Sequence, residues 1–239
     1  MKTVLITGAN KGIGFETARQ MAALGYFVYI GCRDLSKGLE AVRQLNATGL
    51  ANIDCIQIDT TDISSVQAAR RILDSKSGRL DILINNAGIA GDQPQHISTG
   101  SIDNLRNVFE TNFFGAVQTT TAFIDLLRQS PEPRIVNVSS QLASLSFHTN
   151  SQNPNHRIYD AYSCSKTALN AFTVMLAKEY ADTNFKINSV EPGYTATDLN
   201  GFKGLQTPAQ AAEVIVKYAT IDDAGATGKY FNKEGEMAW

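Results

Sequence analysis

In "DAYSCSK", Tyr162 and Lys166 stand four residues apart, a spacing that puts two helical side chains on one side, a turn from each other. A lysine held beside a phenol can pull it towards ionisation, which is the setting of acid–base chemistry by tyrosine. On a solvated helix face the same pair is screened and contributes little. The pair becomes chemistry when the rest of the chain brings it something to act on. Tyr159 is the rival phenol, but the residue four after it is Ser163, so it lacks the lysine.

A candidate for that something lies at the other end of the chain. "TGANKGIG" runs through Gly8, Asn10, Lys11, Gly12, Ile13 and Gly14 after a short apolar stretch and before an amphipathic one. Glycines in a strand-to-helix turn let the backbone approach a pyrophosphate at the helix N-terminus. The pattern here is G-x-x-x-G-x-G, not the general dinucleotide fingerprint, and alone it could be a tight turn. Its place in the first strand–helix unit favours a nucleotide. NAD sites usually carry an acid at the end of the second strand, where this chain has Cys32 and Arg33. With Lys11 in the loop, two cations near the adenosine ribose suit a 2′-phosphate, so NADP(H) is expected ahead of NAD(H). Asp34 follows Arg33, and an ion pair in solvent is the plainer explanation of that arginine.

The elements that must position these residues alternate along the whole chain. Apolar runs rich in Val and Ile at 2–7, 26–31, 53–58, 81–86, 134–139, 186–191 and 228–231 predict strands buried on both faces. Helices are predicted near 13–24, 36–47, 62–75, 102–129, 161–181 and 208–219, the last capped by Thr207 with Pro208 at its first position. Such alternation implies an α/β fold: one Rossmann-type, doubly wound parallel sheet of about seven strands with helices on both faces. Ligands should lie beyond the carboxyl ends of the strands. At 239 residues, one domain over 1–239 is expected.

Charge nearly balances, with 21 basic and 23 acidic residues and no basic stripe, so no nucleic-acid partner is expected. No apolar run approaches the ~20 residues of a membrane helix, and no secretory signal opens the chain. A soluble, cytoplasmic protein is the expectation. Cys32, Cys55 and Cys164 lack metal-ligand spacing and read as reduced thiols, Cys164 as a small half-buried side chain. His96, His148 and His156 are scattered over loops and read as surface residues.

"TGANKGIG", "NNAG" (Asn85, Asn86, Ala87, Gly88), "TNFFG", "IVNVSS", "YSCSK" and "PGYTATDL" occur in the order found in the short-chain dehydrogenase/reductase family. Together they cover nearly the whole chain, and the sequence resembles that family, most of all its NADPH-dependent carbonyl reductase branch. The resemblance implies reduction of a ketone or aldehyde by hydride from NADPH. It implies that Tyr162 is the general acid, and that Lys166 holds the nicotinamide ribose and favours tyrosinate. Ser140 would bind the carbonyl, and Asn112 would complete a proton relay through its helix backbone and a water. Asn86, Asp59 and Thr60 would line the adenosine side, with Ala87 and Gly88 beside them. Pro192, Gly193, Thr195 and Thr197 would sit against the nicotinamide and pyrophosphate. The magnitudes agree: bringing a phenol of pKa ~10 to neutrality takes about three units, ~4 kcal/mol. One cation about 4 Å away supplies ~4 kcal/mol at an effective dielectric of about 20, so the lysine, helped by the positive charge of oxidised nicotinamide, suffices.

Plainer roles exist for most members: Ser139 and Ser140 could satisfy a strand end, Asn112 could mark a kink, and Asp59 could close a turn. A non-catalytic NADP(H) sensor would keep the same fold. A nucleotide-sugar epimerase or dehydratase would normally add a larger C-terminal part.

Two departures from the family pattern stand out. Between Ser140 and Tyr162 lie 21 residues, more than in most members, and 146–160 reads as a polar loop at the substrate rim. Such an insertion could cover a helix face used for oligomerisation, so a monomer or dimer is expected. The segment after "PGYTATD" is short, which suggests a shallow pocket walled by Leu142, Phe147, Tyr194, Phe202 and Trp239. Glu191, directly before Pro192, has no account at this level.

Overall fold

The computed structural model describes residues 1–150 and 159–239. The seven expected strands are β1 (Thr3–Thr7), β2 (Phe27–Cys32), β3 (Ile53–Gln57), β4 (Ile82–Asn85), β5 (Arg134–Val138), β6 (Lys186–Val190) and β7 (Tyr230–Phe231). All pair in parallel, in the order β3-β2-β1-β4-β5-β6-β7. The order reverses between β1 and β4, and a crevice opens there at the carboxyl edge.

Alternation along each strand divides the core into two layers. Val4, Ile6, Val28, Ile30, Ile82 and Ile84 face one side. There they meet Ala18 and Met21 of α1 (Gly12–Ala23), Leu45 of α2 (Leu35–Asn46) and Ile215 of α8 (Pro208–Ala219). Leu5, Tyr29, Leu83, Ile135 and Ile187 face the other. They pack on Val66 and Leu73 of α3 (Ile63–Ser77), Phe123 and Leu127 of α5 (Gly115–Arg128) and Ala177 of α7 (Asp160–Glu179). Each fully buried Val, Leu or Ile contributes roughly 1.5–3 kcal/mol, so both faces must be covered for the sheet to persist. Asp34 and Asp62 cap α2 and α3 through main-chain N–H groups, and Thr207 with Gln210 forms a capping box on α8 behind Pro208.

Three expectations change. The single helix near 102–129 is α4 (Ile102–Phe109) and α5, joined by a wider π-helical turn over Glu110–Phe114. Asn112 lies in that turn, 1% exposed, with its amide drawn out to the Ile89 main chain. In place of the regular ladder the Gly115 N–H bonds the Glu110 carbonyl five residues back, and Gly115 packs closely on Thr60. No proline announces the break, so periodicity alone runs straight through it. The polar stretch 146–160 begins inside a short helix, α6 (Leu145–Thr149), capped by Ser144. Residues 151–158, with His156 among them, lie outside the described residues. Cys164 is exposed rather than half-buried, whereas His148 is half-buried, its ring against the Leu142 carbonyl.

Candidate active site

The glycine loop leaves β1 with Gly8 and Gly12 both at positive φ, +64° and +61°, where only glycine is unstrained. A Cβ on Gly14 would stand 2.5 Å from Asn86 Nδ2 and 2.7 Å from the Gly8 carbonyl, so the start of α1 packs against the loop itself. Thr7 Oγ1 accepts the main-chain N–H groups of Asn86 and Ala87 at 3.0 and 3.1 Å. Asn86 Nδ2 donates back to the carbonyls of Thr7 and Gly8 at 2.9 and 3.1 Å. The Asn86 amide is thus spent on shaping the loop. Ile13 is half-buried on the first turn of α1.

At the adenosine end, an open groove is bounded by Asn10 and by Ser36, Lys37 and Glu40 of α2. Arg33 is exposed beside it and, among the described residues, its guanidinium has no ion pair. Asp34, the expected partner, is taken by the α2 cap and lies 3.9 Å from Lys37. Lys11 does not turn towards Arg33. It pairs with Asp198 across the mouth, both groups in solvent. Asp59 closes a turn by accepting from Thr61 N and Oγ1 at 3.0 and 2.8 Å, and Thr60 is buried under Gly115.

The polar centre is assembled from four elements. Ser140, at the end of β5, accepts the Leu142 N–H at 3.2 Å and faces the Tyr162 hydroxyl on the first turn of α7. Gln95, 2% exposed, accepts the Tyr162 N–H at 3.1 Å and anchors that turn. Lys166 is buried below, its Nζ donating to the Val138 carbonyl at 2.7 Å and lying 5.9 Å from the Tyr162 ring centroid. Asn112 Oδ1 accepts from Ile89 N at 2.8 Å, while its Nδ2 reaches Ile89 O and Ser165 Oγ. With the side chain so committed, only the main chain of Asn112 is left for a relay. A Cβ on Gly88 would stand 3.3 Å from Asn112 Oδ1 and 3.5 Å from Lys166 Nζ, so Gly88 keeps this centre open.

Electrostatics differ from the expectation drawn from spacing. Burial pushes the Tyr162 phenol up to about 12, against a lowering from Ser140, and the Glu191 charge adds to the rise. Burial holds the Lys166 ammonium down to about 8. Lysine spends its charge on Val138 rather than on the phenol, so the chain by itself keeps Tyr162 firmly protonated. A neutral phenol is the form that donates a proton.

The third wall follows β6. Pro192 is buried, and Gly193 turns the chain at φ +91°. Thr195 Oγ1 donates to the Gly193 carbonyl at 2.8 Å and accepts from Gln206 Nε2 at 3.1 Å. Gln206 also reaches the Pro192 carbonyl, and a Cβ on Gly193 would collide with it at 2.2 Å. The Thr197 methyl faces Gly12, so this segment meets the glycine loop. Leu142, Phe147, Tyr194 and Trp239 are half-buried and Phe202 is 66% exposed, so none of the expected wall residues belongs to the core. Gln95, Gln206, Ser36 and Lys37 escaped the sequence reading. Gln95 and Gln206 matter through partners distant in the chain, and Ser36 and Lys37 through the cap that Asp34 makes on α2 beside the groove.

These residues fit a phosphate-bearing nicotinamide cofactor. The loop glycines leave room for backbone to approach a pyrophosphate, Arg33 supplies an uncommitted cation, and Gly88 leaves space above Lys166.

Comparison with known proteins agrees. The family profile described as short chain dehydrogenase matches residues 2–207. The (-)-isopiperitenone reductase of Mentha piperita is 33% identical over 309 residues, covering 98% of this chain and 97% of that protein. That alignment is longer than the 239 residues here, so the relative carries segments that this chain lacks. The structure of salutaridine reductase from Papaver somniferum matches with a TM-score of 0.86 at 28% identity, over 98% of this chain and 100% of that one. An NADPH-bound carbonyl reductase from chicken fatty liver matches with a TM-score of 0.86 at 27% identity, over 100% and 99%.

Proposed function

The chain belongs to the short-chain dehydrogenase family of oxidoreductases, and from that premise we propose that it reduces a ketone or aldehyde to an alcohol with NADPH. On this reading residues 1–239 act as one cofactor-binding and catalytic domain. The observation that carries it is the placing of Ser140 beside a half-buried, protonated Tyr162 with the buried Lys166 under its ring. The cofactor, when bound, supplies the hydride. Everything else is the work of the chain.

Ser140 and Tyr162 bind the substrate carbonyl oxygen, and the Tyr162 hydroxyl delivers the proton to that oxygen as it becomes an alkoxide. Lys166, held by Val138, keeps a positive charge under the phenol as it turns into phenolate. That stabilises an anion which forms only as the reaction proceeds, and such differential stabilisation is what accelerates a step. The glycine loop, shaped by Asn86 and Thr7, would hold the pyrophosphate. Arg33 would grip a 2′-phosphate, which favours NADP(H) over NAD(H). The NADPH in the chicken carbonyl reductase and the reductase names of the relatives support the same assignment.

The test is oxidation of NADPH, followed by absorbance, with a panel of aryl ketones, quinones, α-keto esters and aldehydes, and with NADH as control. Turnover that is lost in Tyr162→Phe supports the reading. Tight NADPH binding without turnover on any of them would point to a dinucleotide sensor instead.

A further inference from the structure

Glu191 is the residue the family pattern left unexplained, and the fold gives it a place. Its carboxylate accepts the Gly193 N–H at 2.7 Å, and the Gln141 main-chain N–H faces it from the other side. Gln141 follows Ser140 directly, and Gly193 makes the positive-φ turn beside Pro192. The Glu191 N–H donates to the Phe231 carbonyl at 2.7 Å, which fixes the residue to β7. Also from β7, the Tyr230 hydroxyl donates to the Ser140 carbonyl. One carboxylate therefore ties the loop after β5 to the loop after β6, the two segments that flank the carbonyl site.

Resting on the reading of Tyr162 as proton donor, we propose that Glu191 is a positioning residue that clamps these loops and, as the carboxylate set between them, biases the site towards reduction. The charged and titratable groups around it are few. Lys233 and Glu234 face Glu191 from the turn after β7, with opposite effects on it. Tyr162 and Lys166 come from α7 and Tyr230 from β7. Burial raises the Glu191 carboxyl, and its charge in turn raises both Tyr162 and Tyr230. An anion on this side weakens the phenol as an acid but keeps it protonated. That protects the donor needed for reduction and withholds the phenolate needed for alcohol oxidation.

Glu191→Gln keeps an oxygen for the Gly193 N–H and removes the charge, whereas Glu191→Ala removes both. In protein labelled with ζ-13C tyrosine, the Tyr162 resonance is identified by its loss in Tyr162→Phe. In Glu191→Gln it should begin to ionise at lower pH than in the wild type. The alkaline limb of kcat/KM for ketone reduction should move the same way, and oxidation of the alcohol should rise at lower pH. Glu191→Ala should add faster amide exchange at Gly193 and Gln141, which Glu191→Gln restores. An unmoved Tyr162 titration in Glu191→Gln, or undiminished protection of both amides in Glu191→Ala, overturns the proposal. A shifted Tyr162 in a protein that reduces no carbonyl supports the coupling and overturns the reductase reading alone.

Discussion

Lys166 donates to the Val138 carbonyl at 2.7 Å from a site 3% exposed, so a whole positive charge is kept inside the protein on a main-chain oxygen. Solvation lost on burial lowers its pKa to about 8, below the 10.5 of a free lysine. A charge kept in place against that penalty is consistent with stability given up for function.

Lysine in the folded chain releases its proton before lysine in the unfolded chain. Between about pH 8 and 10.5 the unfolded state therefore binds more protons, and stability from this group rises with pH. Below pH 8 the penalty is present in full. Lys166→Met should melt above the wild type at pH 7, by up to about 3 kcal/mol, and the gap should close by pH 10.5. Thermal or denaturant unfolding at the two pH values checks this. A constant gap would mean that lysine is not paying a burial penalty there.

Tyr162→Phe should lower kcat for ketone reduction by roughly 10²–10⁴-fold, the usual worth of a general acid. The aromatic ring and the Gln95 contact to its backbone survive, so NADPH binding, read by fluorescence titration, should change little. Undiminished turnover would remove Tyr162 as the donor.

Arg33→Ala should raise KM for NADPH about 10–100-fold, the loss of hydrogen bonds from a charged donor to a phosphate, while leaving KM for NADH nearly as it was. The exposed arginine has no other ion pair among the described residues, so the fold should be unaffected. Equal effects on the two cofactors would take Arg33 out of the phosphate site.

Gly14→Ala puts a methyl group 2.5 Å from Asn86 Nδ2 and 2.7 Å from a main-chain carbonyl. The side chain can yield and the backbone cannot. Stability should fall by about 1–3 kcal/mol, as in other overpacked sites, and cofactor affinity should fall with it. Calorimetric melting with and without NADPH separates the two losses. An unchanged melting temperature would show that the loop relaxes freely.

The parallel α/β architecture was legible because it is written locally. Continuous Val and Ile runs define strands buried on both faces, and amphipathic stretches with caps such as Thr207-Pro208 define helices. The Tyr162–Lys166 spacing and the glycine turn belong to the same class, each contained within one turn or one helix. Helix ends shifted by a residue or two, as frayed termini do.

Distant contacts were not legible. Whether Asp34 pairs with Arg33 or caps a helix depends on where α2 starts, and Lys11 meets Asp198 only because two loops share one mouth. Asn112, in the π-helical turn, is held by the main chain of Ile89, 23 positions earlier. Tyr162 is the sharpest case. Sequence placed a cation one turn away and argued for a lowered pKa. The fold takes much of the phenol out of water, turns the lysine to Val138 and brings the Glu191 charge near, so in the chain by itself the pKa rises. Residue types and spacing determined which groups meet the cofactor site. Burial and long-range partners, set only when the chain is packed, decided which contacts each of them makes there.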